Sequence, residues 1–507
     1  MPIFGLFAHS IIHSVYTIGY DIGSSSVKAA LVEAKTGKVL ARVTAPDTEM
    51  GMDAPEPGWA EQNPEDWYKY VVAATQDILA RTQVQSKDIK AVGIGYQMHG
   101  LVLVDADHQT VRPSIIWCDG RAVATGDKAF NGIGAKTCLT HCLNSPGNFT
   151  AAKLKWVADN EPENYARAKY AMLPGDYIAL RLTGEATTTV TGLSEGVFWN
   201  FSTNQLADLV LEEMGLDRSK IPPLVPAVGK QGVLTAAAAA ELGLQAGTVV
   251  GYRAGDQPNN ALSLNVLAPG EVAATGGTSG VVYGVTDQLA FDPGQRVNSF
   301  AHVNHEGAAP RIGVLLCING AGVLHRWVRN LVGGASLSYG EMEAMAAVVP
   351  VGCEGLHFLP FGNGPERMLG NKNVGAHLLG LDLNRHDNTH VVRAGLEGIA
   401  FAFVYGMKVL KELGVDLSKI RVGNDNLFQS DVFSSTIATL TGATIEVHNT
   451  TGAVGAALAA GVAVGLADNL EAAVGKQEVL ASVEPGNNRQ ELEAAYQRWE
   501  KALMWHL

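Results

Sequence analysis

Two glycine-rich hairpins of similar sequence, one near the start of the chain and one just past its middle, constrain the fold more than any other feature. The first spans residues 16–32 and turns at Gly23, and the second spans residues 271–285 and turns at Gly277. When one is laid over the other, the two glycines, the hydroxyl residues after them and the valines that follow all coincide. A unit that recurs at the head of each half predicts an α/β protein built from two duplicated domains with a cleft between them.

Length and charge narrow the class of partner. The chain has 507 residues, more than one compact core accommodates, and a formal net charge of -13. Because binding to nucleic acid or to an anionic membrane needs a basic surface, this charge argues against both partners and favours a small molecule. The five cysteines, an odd number scattered along the chain, favour a cytoplasmic protein over a disulfide framework.

The segment before the first hairpin, residues 1–15, is apolar but lacks the basic start and the small-residue cleavage site of a signal peptide. We expect it to be an extension ahead of the first strand. The two domains are then expected to span residues 16–254 and 255–507.

Asp256 is the candidate catalytic residue. It follows an apolar run that is typical of a buried strand, and Pro258 stands where the first turn of a helix accepts proline. A carboxylate at the carboxyl end of such a strand faces the crevice in which open α/β sheets bind ligands. The alternative is that Asp256 only caps the helix, a role that aspartate often fills. The neighbouring glycine turns favour the catalytic interpretation.

The two hairpin turns are candidate phosphate sites. Their backbone N–H groups and hydroxyls suit phosphate oxygens, and Asp21, at the end of the first strand, is placed to hold a magnesium ion through water. An ordinary polar hairpin is the alternative for each turn. The residues expected to contact phosphate are Gly23, Ser24, Ser25, Gly276, Gly277, Thr278 and Ser279.

Other segments offer weaker signals. Met98 and His99 lie where two strand-like runs meet, so the histidine satisfies local backbone groups or binds a substrate hydroxyl. Asp119 is either a ligand or an ion pair with Arg121. The pattern predicts a threonine-rich strand or loop at residues 187–192 and a surface connector at residues 222–232. Turns that lead into helices suit a nucleotide base or its phosphates, and they contain Gly322, Trp327, Gly423, Asn426 and Ser430.

Together these motifs resemble the FGGY carbohydrate kinase family, within the superfamily of sugar kinases, actin and heat-shock ATPases. The resemblance runs from about residue 16 to the C-terminus. It is carried by Asp21-Ile-Gly23, Gly255-Asp256-Gln257, Thr275-Gly-Gly-Thr-Ser279 and the helix signature Lys153-Leu-Lys-Trp156. Asn148 departs from this signature, and the adenosine turn has Gly423-Asn-Asp-Asn426 where the family usually has several glycines.

The resemblance implies two ribonuclease-H-like domains and ATP-dependent phosphorylation of a sugar with Mg²⁺. Met98-His99-Gly100 resembles the members that phosphorylate D-xylulose; ribulose, glycerol or gluconate are the alternatives, and an actin-like or chaperone-like ATPase is the alternative outside the kinases. Asp256 would be the general base, and a homodimer is also implied. The residues implied to contact the sugar are Met98, His99, Gln257, Asn148 and Asp119.

Overall fold

The computed structural model describes residues 14–507, so nearly all of the expected N-terminal extension lies outside the described residues. The strands are β1 (Tyr16–Ile22), β2 (Val27–Glu33), β3 (Val39–Ala45), β4 (Glu61–Gln62), β5 (Ile89–Tyr96), β6 (Val102–Val104), β7 (Ser114–Ile115), β8 (Tyr170–Met172), β9 (Trp199–Asn200), β10 (Gln205–Leu206), β11 (Val228–Val233), β12 (Val249–Gly255), β13 (Val272–Gly276), β14 (Gly280–Thr286), β15 (Asn298–Ala301), β16 (Ile312–Ile318), β17 (His357–Phe361), β18 (Gly375–Leu379), β19 (Lys419–Gly423), β20 (Thr444–His448) and β21 (Val479–Val483).

The α-helices are α1 (Pro64–Thr82), α2 (Val123–Ile133), α3 (Ala135–Cys142), α4 (Thr150–Asn160), α5 (Pro162–Arg167), α6 (Pro174–Thr183), α7 (Val190–Glu195), α8 (Asp208–Met214), α9 (Ala236–Leu242), α10 (Asp256–Ser263), α11 (Gly322–Val332), α12 (Tyr339–Ala347), α13 (Asn388–Glu412), α14 (Asp431–Thr441), α15 (Gly452–Val462), α16 (Leu470–Val474) and α17 (Arg489–His506). Among residues 14–507, no helix is both long and apolar enough to cross a bilayer.

The two main sheets repeat one topology. The first has the order β11-β12-β5-β1-β2-β3, in which β1, β2 and β3 pair antiparallel while β5 and β12 continue parallel to β1. The second has the order β15-β16-β14-β13-β19-β20-β21, in which β13, β14 and β16 pair antiparallel while β19 and β20 continue parallel to β13. Three antiparallel strands followed by two parallel ones thus occur twice, which confirms the predicted duplication.

Each half builds its core by laying helices on its sheet. In the first half, α1 begins at the cap residue Asn63, places Trp67 and Val71 in the core and packs on β2 and β3. In the second half, α13 is buried over most of its length because its sequence is apolar on nearly every side. Asp387 caps that helix by accepting from the N–H groups of Thr389 and His390.

Helix α15 belongs to the second half by connection but packs on the sheet of the first half. It follows β20 and lies across β1 and β5. Two glycines permit this contact: a Cβ added at Gly19 would lie 2.0 Å from Ala453 O, and one added at Gly93 would lie 2.1 Å from Ala456 O. The small residues of α15 therefore serve close packing, and its N-terminus is carried to the cleft edge of the first sheet.

Two local predictions were only partly right. Residues 187–189 lie outside any helix, as expected, but helix α7 begins at residue 190, with the Thr189 side chain accepting from the N–H of Gly192. Residues 222–227 form the expected connector, but residues 228–232 belong to strand β11, which pairs with β12 through a bulge. Pairing with β12 decided the structure of β11 over its local propensity.

Candidate active site

Asp256 begins α10 at the point where β12 ends. The N-cap of this helix is Gly255, so Asp256 is its first helical residue rather than its cap. The residue is half-buried. Burial and the charge of Asp21 together raise the pKa of Asp256 to about 7, although hydrogen bonds from Gln257 act to lower it. A carboxylate with this pKa can take up a proton at neutral pH.

Asp21 lies near the end of β1, close enough to Asp256 for the two charges to interact. Burial raises the pKa of Asp21, and Lys28 lowers it. The first residue of α15, Gly452, contacts this carboxylate, because a Cβ added there would lie 2.9 Å from Asp21 Oδ2. Asn259 of α10 donates to Gly452 O at 3.0 Å. Helices α10 and α15 therefore meet beside a pair of carboxylates.

The first glycine turn, residues 23–26, is fixed by the protein on its carbonyl side. Gly23 N donates to Ser26 O at 3.0 Å, and the Gln62 side chain donates to Ser24 O at 2.7 Å. Trp117, half exposed, donates from Nε1 to Ser24 Oγ at 3.4 Å. Ser25 is exposed. The carbonyls are thus occupied by protein donors, and the turn is held in one shape next to Asp21.

The second glycine turn, residues 277–279, is bound to the start of α11. Gly322 N donates to Gly277 O at 3.0 Å, and Val323 N donates to Thr278 O at 3.1 Å. A Cβ added at Gly322 would lie 2.4 Å from Gly277 O, so only glycine permits this approach. The strand pair β13–β14 and α11 therefore hold the turn as one unit.

A cavity of about 570 Å³ opens beside the second turn. Six of the predicted nucleotide residues line it: Gly276, Gly277, Thr278, Gly322, Asn426 and Ser430. Its other lining residues include His325, Arg326, Tyr339, Glu343 and Gln429, which no sequence motif singled out. Ser279 and Gly423 are not in its lining, and Trp327 is 53% exposed on α11 and also lies outside it.

Ser430 and Glu343 close one wall of this cavity. Ser430 Oγ donates to Glu343 Oε2 at 2.5 Å and accepts from Phe433 N, so it caps α14. Glu343 also accepts from Val432 N at 2.9 Å. The predicted nucleotide residue Ser430 is thus anchored by an acidic partner from α12.

His99 presents a defined tautomer. Its Nδ1 lies 3.0 Å from the carbonyl oxygen of Glu195, so Nδ1 carries the hydrogen and Nε2 is a hydrogen-bond acceptor. Burial lowers the pKa of His99 to about 3, which keeps the ring neutral. The ring packs between Phe149, with centroids 4.4 Å apart, and Phe300 of the second half, at 5.3 Å. His99 therefore offers an acceptor where the two halves meet.

Met98 and Glu195 flank the residue before Asp256. A Cβ added at Gly255 would lie 2.4 Å from Glu195 Oε2 and 2.6 Å from Met98 Cγ. Burial raises the pKa of Glu195 well above its usual range, and the charges of Asp256 and Asp176 raise it further. Glu195 is therefore a buried carboxyl group with a raised pKa, in contact with the backbone that positions Asp256.

Asp119 is buried and held by several protein groups. Its carboxylate is fully buried, accepts from Ala60 N at 2.6 Å and pairs with Arg121 at 2.7 Å. Asn148 donates to the backbone carbonyl of Asp119, and its own Oδ1 has no partner among the described residues. The carboxylate of Asp119 thus fixes Arg121 and the chain near Ala60, while Asn148 retains a free acceptor.

Sequence reasoning missed Glu195 and Trp117. Glu195 ends a helix within a segment whose pattern is typical of a loop, and its contact with Gly255 depends on tertiary packing. Trp117 follows the very short strand β7, and only the fold brings its indole to Ser24. The only signal for Trp117 in the sequence was its place next to a charged turn.

Comparison with known proteins agrees with this architecture. Residues 16–263 match the model of the N-terminal domain of the FGGY family of carbohydrate kinases, and residues 272–464 match that of its C-terminal domain. A xylulose kinase of Lactococcus lactis is 30% identical over 472 residues, covering 90% of this chain and 89% of that protein. A xylulose kinase of Bacillus subtilis is 28% identical over 469 residues, covering 90% of both.

The likeness extends to solved structures. The crystal structure of xylulose kinase from Rhodospirillum rubrum has a TM-score of 0.86 at 25% identity, covering 96% of this chain and 98% of that chain. The two family models together match most of the chain, and the relatives match along both of its halves. The chain belongs to the FGGY family of carbohydrate kinases.

Proposed function

We propose that this kinase transfers the terminal phosphoryl group of ATP to D-xylulose, with Asp256 as the general base. The observation that carries the proposal is the position of Asp256, at the start of α10 next to Asp21, with burial raising its pKa to about 7. The sugar follows from two supports: the two curated relatives named above are xylulose kinases, and Met98, next to His99, packs against Gly255, the residue before Asp256.

The chemistry requires a proton acceptor. A sugar hydroxyl is a poor nucleophile at neutral pH, so a carboxylate must take its proton as the new phosphorus–oxygen bond forms. Asp256 fills that role. Gln257 lies beside it and donates hydrogen bonds that keep part of the population ionised.

Positioning residues orient the sugar for this transfer. Nε2 of His99 accepts a hydrogen bond from a sugar hydroxyl, because Nδ1 is already committed to the Glu195 carbonyl. Met98 forms the apolar wall against Gly255. Asn148, through its free Oδ1, is the candidate for a further sugar contact. Phosphoryl transfer depends mainly on such positioning and on charge stabilisation.

The nucleotide occupies the cavity beside the second glycine turn in this proposal. Its phosphates extend between the two turns, where backbone N–H groups stabilise negative charge. A chain of phosphates suits this gap because Gly23, Ser24 and Ser25 come from one half and residues 276–279 from the other. Closing the halves would exclude water and limit hydrolysis of ATP.

The residues present fit a magnesium ion. Asp21 offers carboxylate oxygens, the ligand type that Mg²⁺ prefers, and a cation offsets the charge of two neighbouring carboxylates. Within residues 14–507, no group of three His, Cys, Asp or Glu side chains could enclose a metal. That fits an ion held through water and nucleotide phosphates, which when bound would neutralise charge on the transferred phosphoryl group.

Two alternative functions predict different activities. A kinase for ribulose, glycerol or gluconate would use the same base and the same turns. An actin-like or chaperone-like ATPase would hydrolyse ATP without any sugar. We also propose a cytoplasmic enzyme, since all five cysteines are free, and a homodimer in keeping with the family resemblance.

The test is release of ADP in the presence of ATP and Mg²⁺ against a panel of D-xylulose, L- and D-ribulose, L-xylulose, glycerol, gluconate and D-arabitol. Strong preference for D-xylulose supports the proposal. Activity confined to another sugar would keep Asp256 as the base and discard the substrate. ATP turnover that no sugar stimulates would favour the chaperone-like alternative.

A further inference from the structure

Lys153 is a buried basic residue next to His99, on the side of the site where the sugar is proposed to bind. It lies on α4, is completely inaccessible to solvent, and donates from Nζ to the carbonyl oxygen of His99 at 2.8 Å. Asp119, the carboxylate that most favours its charged form, is itself committed to Arg121. The His99 carbonyl is therefore the hydrogen-bond acceptor to which the ammonium group is directed.

The backbone of His99 needs such support. His99 has a φ of 62°, in the left-handed region that non-glycine residues rarely adopt and that is strained unless its surroundings hold it. Two hydrogen bonds fix the residue: Lys153 binds its carbonyl, and the Glu195 carbonyl binds its ring. The main chain of His99 is thus held at its carbonyl group and the imidazole at Nδ1, which leaves Nε2 with one orientation.

We infer that Lys153 is a positioning residue for the sugar: its ammonium group holds the His99 carbonyl and so keeps the imidazole turned toward the substrate. It acts through His99 and does not touch the sugar. The inference rests on the proposed function in one respect, the contact between His99 and the sugar. Its test is therefore designed to separate the two.

The charge of Lys153 responds to pH near neutrality. Burial lowers its pKa to about 7; Asp119, Cys118 and Glu195 act to raise it, while Arg121 acts to lower it. The neighbouring imidazole is neutral, since burial lowers the pKa of His99 to about 3. As pH rises through 7, the ammonium group becomes an amine, which is a weaker donor to a carbonyl. Sugar affinity should therefore fall between pH 6 and pH 9.

Calorimetric titration of D-xylulose into the nucleotide-free protein tests this directly, because no chemical step contributes to the measured Kd. At pH 6 we expect Lys153→Met to raise Kd at least about tenfold, the effect of losing a charged hydrogen bond. Lys155→Met is the matched control on the same helix, since Lys155 is more exposed and pairs with Asp159. We expect it to leave Kd within about twofold of wild type, as is usual for surface pairs.

Lys153→Arg separates charge from packing. Arginine stays charged at every pH used, so this variant should retain more affinity than Lys153→Met and lose the pH dependence of Kd between pH 6 and 9. If Lys153→Met fails to fold, the pH dependence of Kd in Lys153→Arg is the deciding measurement. An unchanged pH dependence in this variant would overturn the inference.

A double-variant comparison identifies the route of the effect. His99→Ala should raise Kd, and adding Lys153→Met to it should change Kd little further, because both substitutions remove the same oriented imidazole. Additive losses would overturn the inference by showing that Lys153 acts elsewhere. A wild-type Kd in His99→Ala would instead remove His99 from the sugar site, which is a failure of the proposed function.

Discussion

At the scale of single residues, the site depends on which carboxyl groups keep their protons. Asp256, Asp21 and Glu195 lie close together, and each has a raised pKa because burial disfavours its charge. The three differ in their surroundings: the pKa of Asp256 is raised to about 7, whereas burial and the charges of Asp256 and Asp176 raise the pKa of Glu195 well above its usual range. A carboxylate whose pKa lies near neutrality is suited to accept a proton.

Asp256→Asn should abolish phosphoryl transfer but leave the affinity for the sugar almost unchanged. We expect kcat to fall about 10²–10⁴-fold, the usual contribution of a general base, while the Kd for D-xylulose stays within about threefold. Coupled ADP release measures the first quantity and calorimetry the second. Turnover close to wild type would remove Asp256 from the proposed role.

The rate of phosphoryl transfer should fall below neutral pH, because the general base becomes protonated. Protonated Asp256 cannot accept a proton, so kcat/KM at limiting MgATP should fall about tenfold for each pH unit below about 7. Glu195→Gln is the control, because the amide keeps the size of the side chain and leaves Asp256 in place, so the midpoint of this decline should not move. A midpoint near pH 4 in the wild type would contradict the raised pKa of Asp256.

At the residue level, the sequence allowed the positions of Asp256 and Asp21 in the fold to be predicted. Each stands where an apolar strand gives way to a polar turn, and the structure has strands ending at both places. The position of Glu195 was not predictable, since no local pattern reports that the end of α7 contacts Gly255. The roles of the individual site residues stay predictions until variants are measured.

At the scale of elements, hydrophobic pattern and end signals account for two of the helices. Helix α13 has a nearly continuous apolar sequence, and α6 has Pro174 at its start and Gly184 after its end. Helix α7 and strand β11 did not follow from such signals, because α7 is short and largely buried and β11 owes its conformation to pairing with β12. Short elements are specified by neighbours that a sequence window does not contain.

The contact between α15 and the first sheet should tolerate no side chain at Gly93. A methyl group there would meet the backbone of Ala456, so Gly93→Ala should lower the free energy of unfolding by about 1–3 kcal/mol or more. Gly340→Ala is the control, since nothing lies within 4 Å of an added Cβ on α12 and alanine favours a helix by about 1 kcal/mol. Urea denaturation followed by circular dichroism compares them; equal midpoints would contradict the close approach of α15 to Gly93.

At the scale of the whole molecule, the duplicated sheets were predictable because the two hairpins share a sequence pattern. The packing of α15 on the sheet of the first half was not predictable, because helix propensity does not indicate which sheet a helix of small residues will cover. The family models divide between residues 263 and 272, whereas the division expected from the sequence, between residues 254 and 255, stays a prediction.

The first half alone should not form a stable domain. A fragment of residues 14–263 lacks α15, which leaves the glycine-lined face of β1 and β5 uncovered. We expect this fragment to be aggregated or only partly folded by circular dichroism and size-exclusion chromatography, and to be recovered by co-expression with residues 264–507. A monomeric, cooperatively melting fragment would show that α15 is dispensable for the first sheet.

The position of α15 also orders events on the ribosome. Domains generally fold as they emerge, the N-terminal one first. Here the first sheet receives its covering helix from residues 452–462, well after β12, the last strand of that sheet. The first half must therefore wait, with an apolar face exposed, until those residues have been synthesised. Nascent chains of this protein should need a chaperone during that interval, although the folded enzyme covers that face with its own helix.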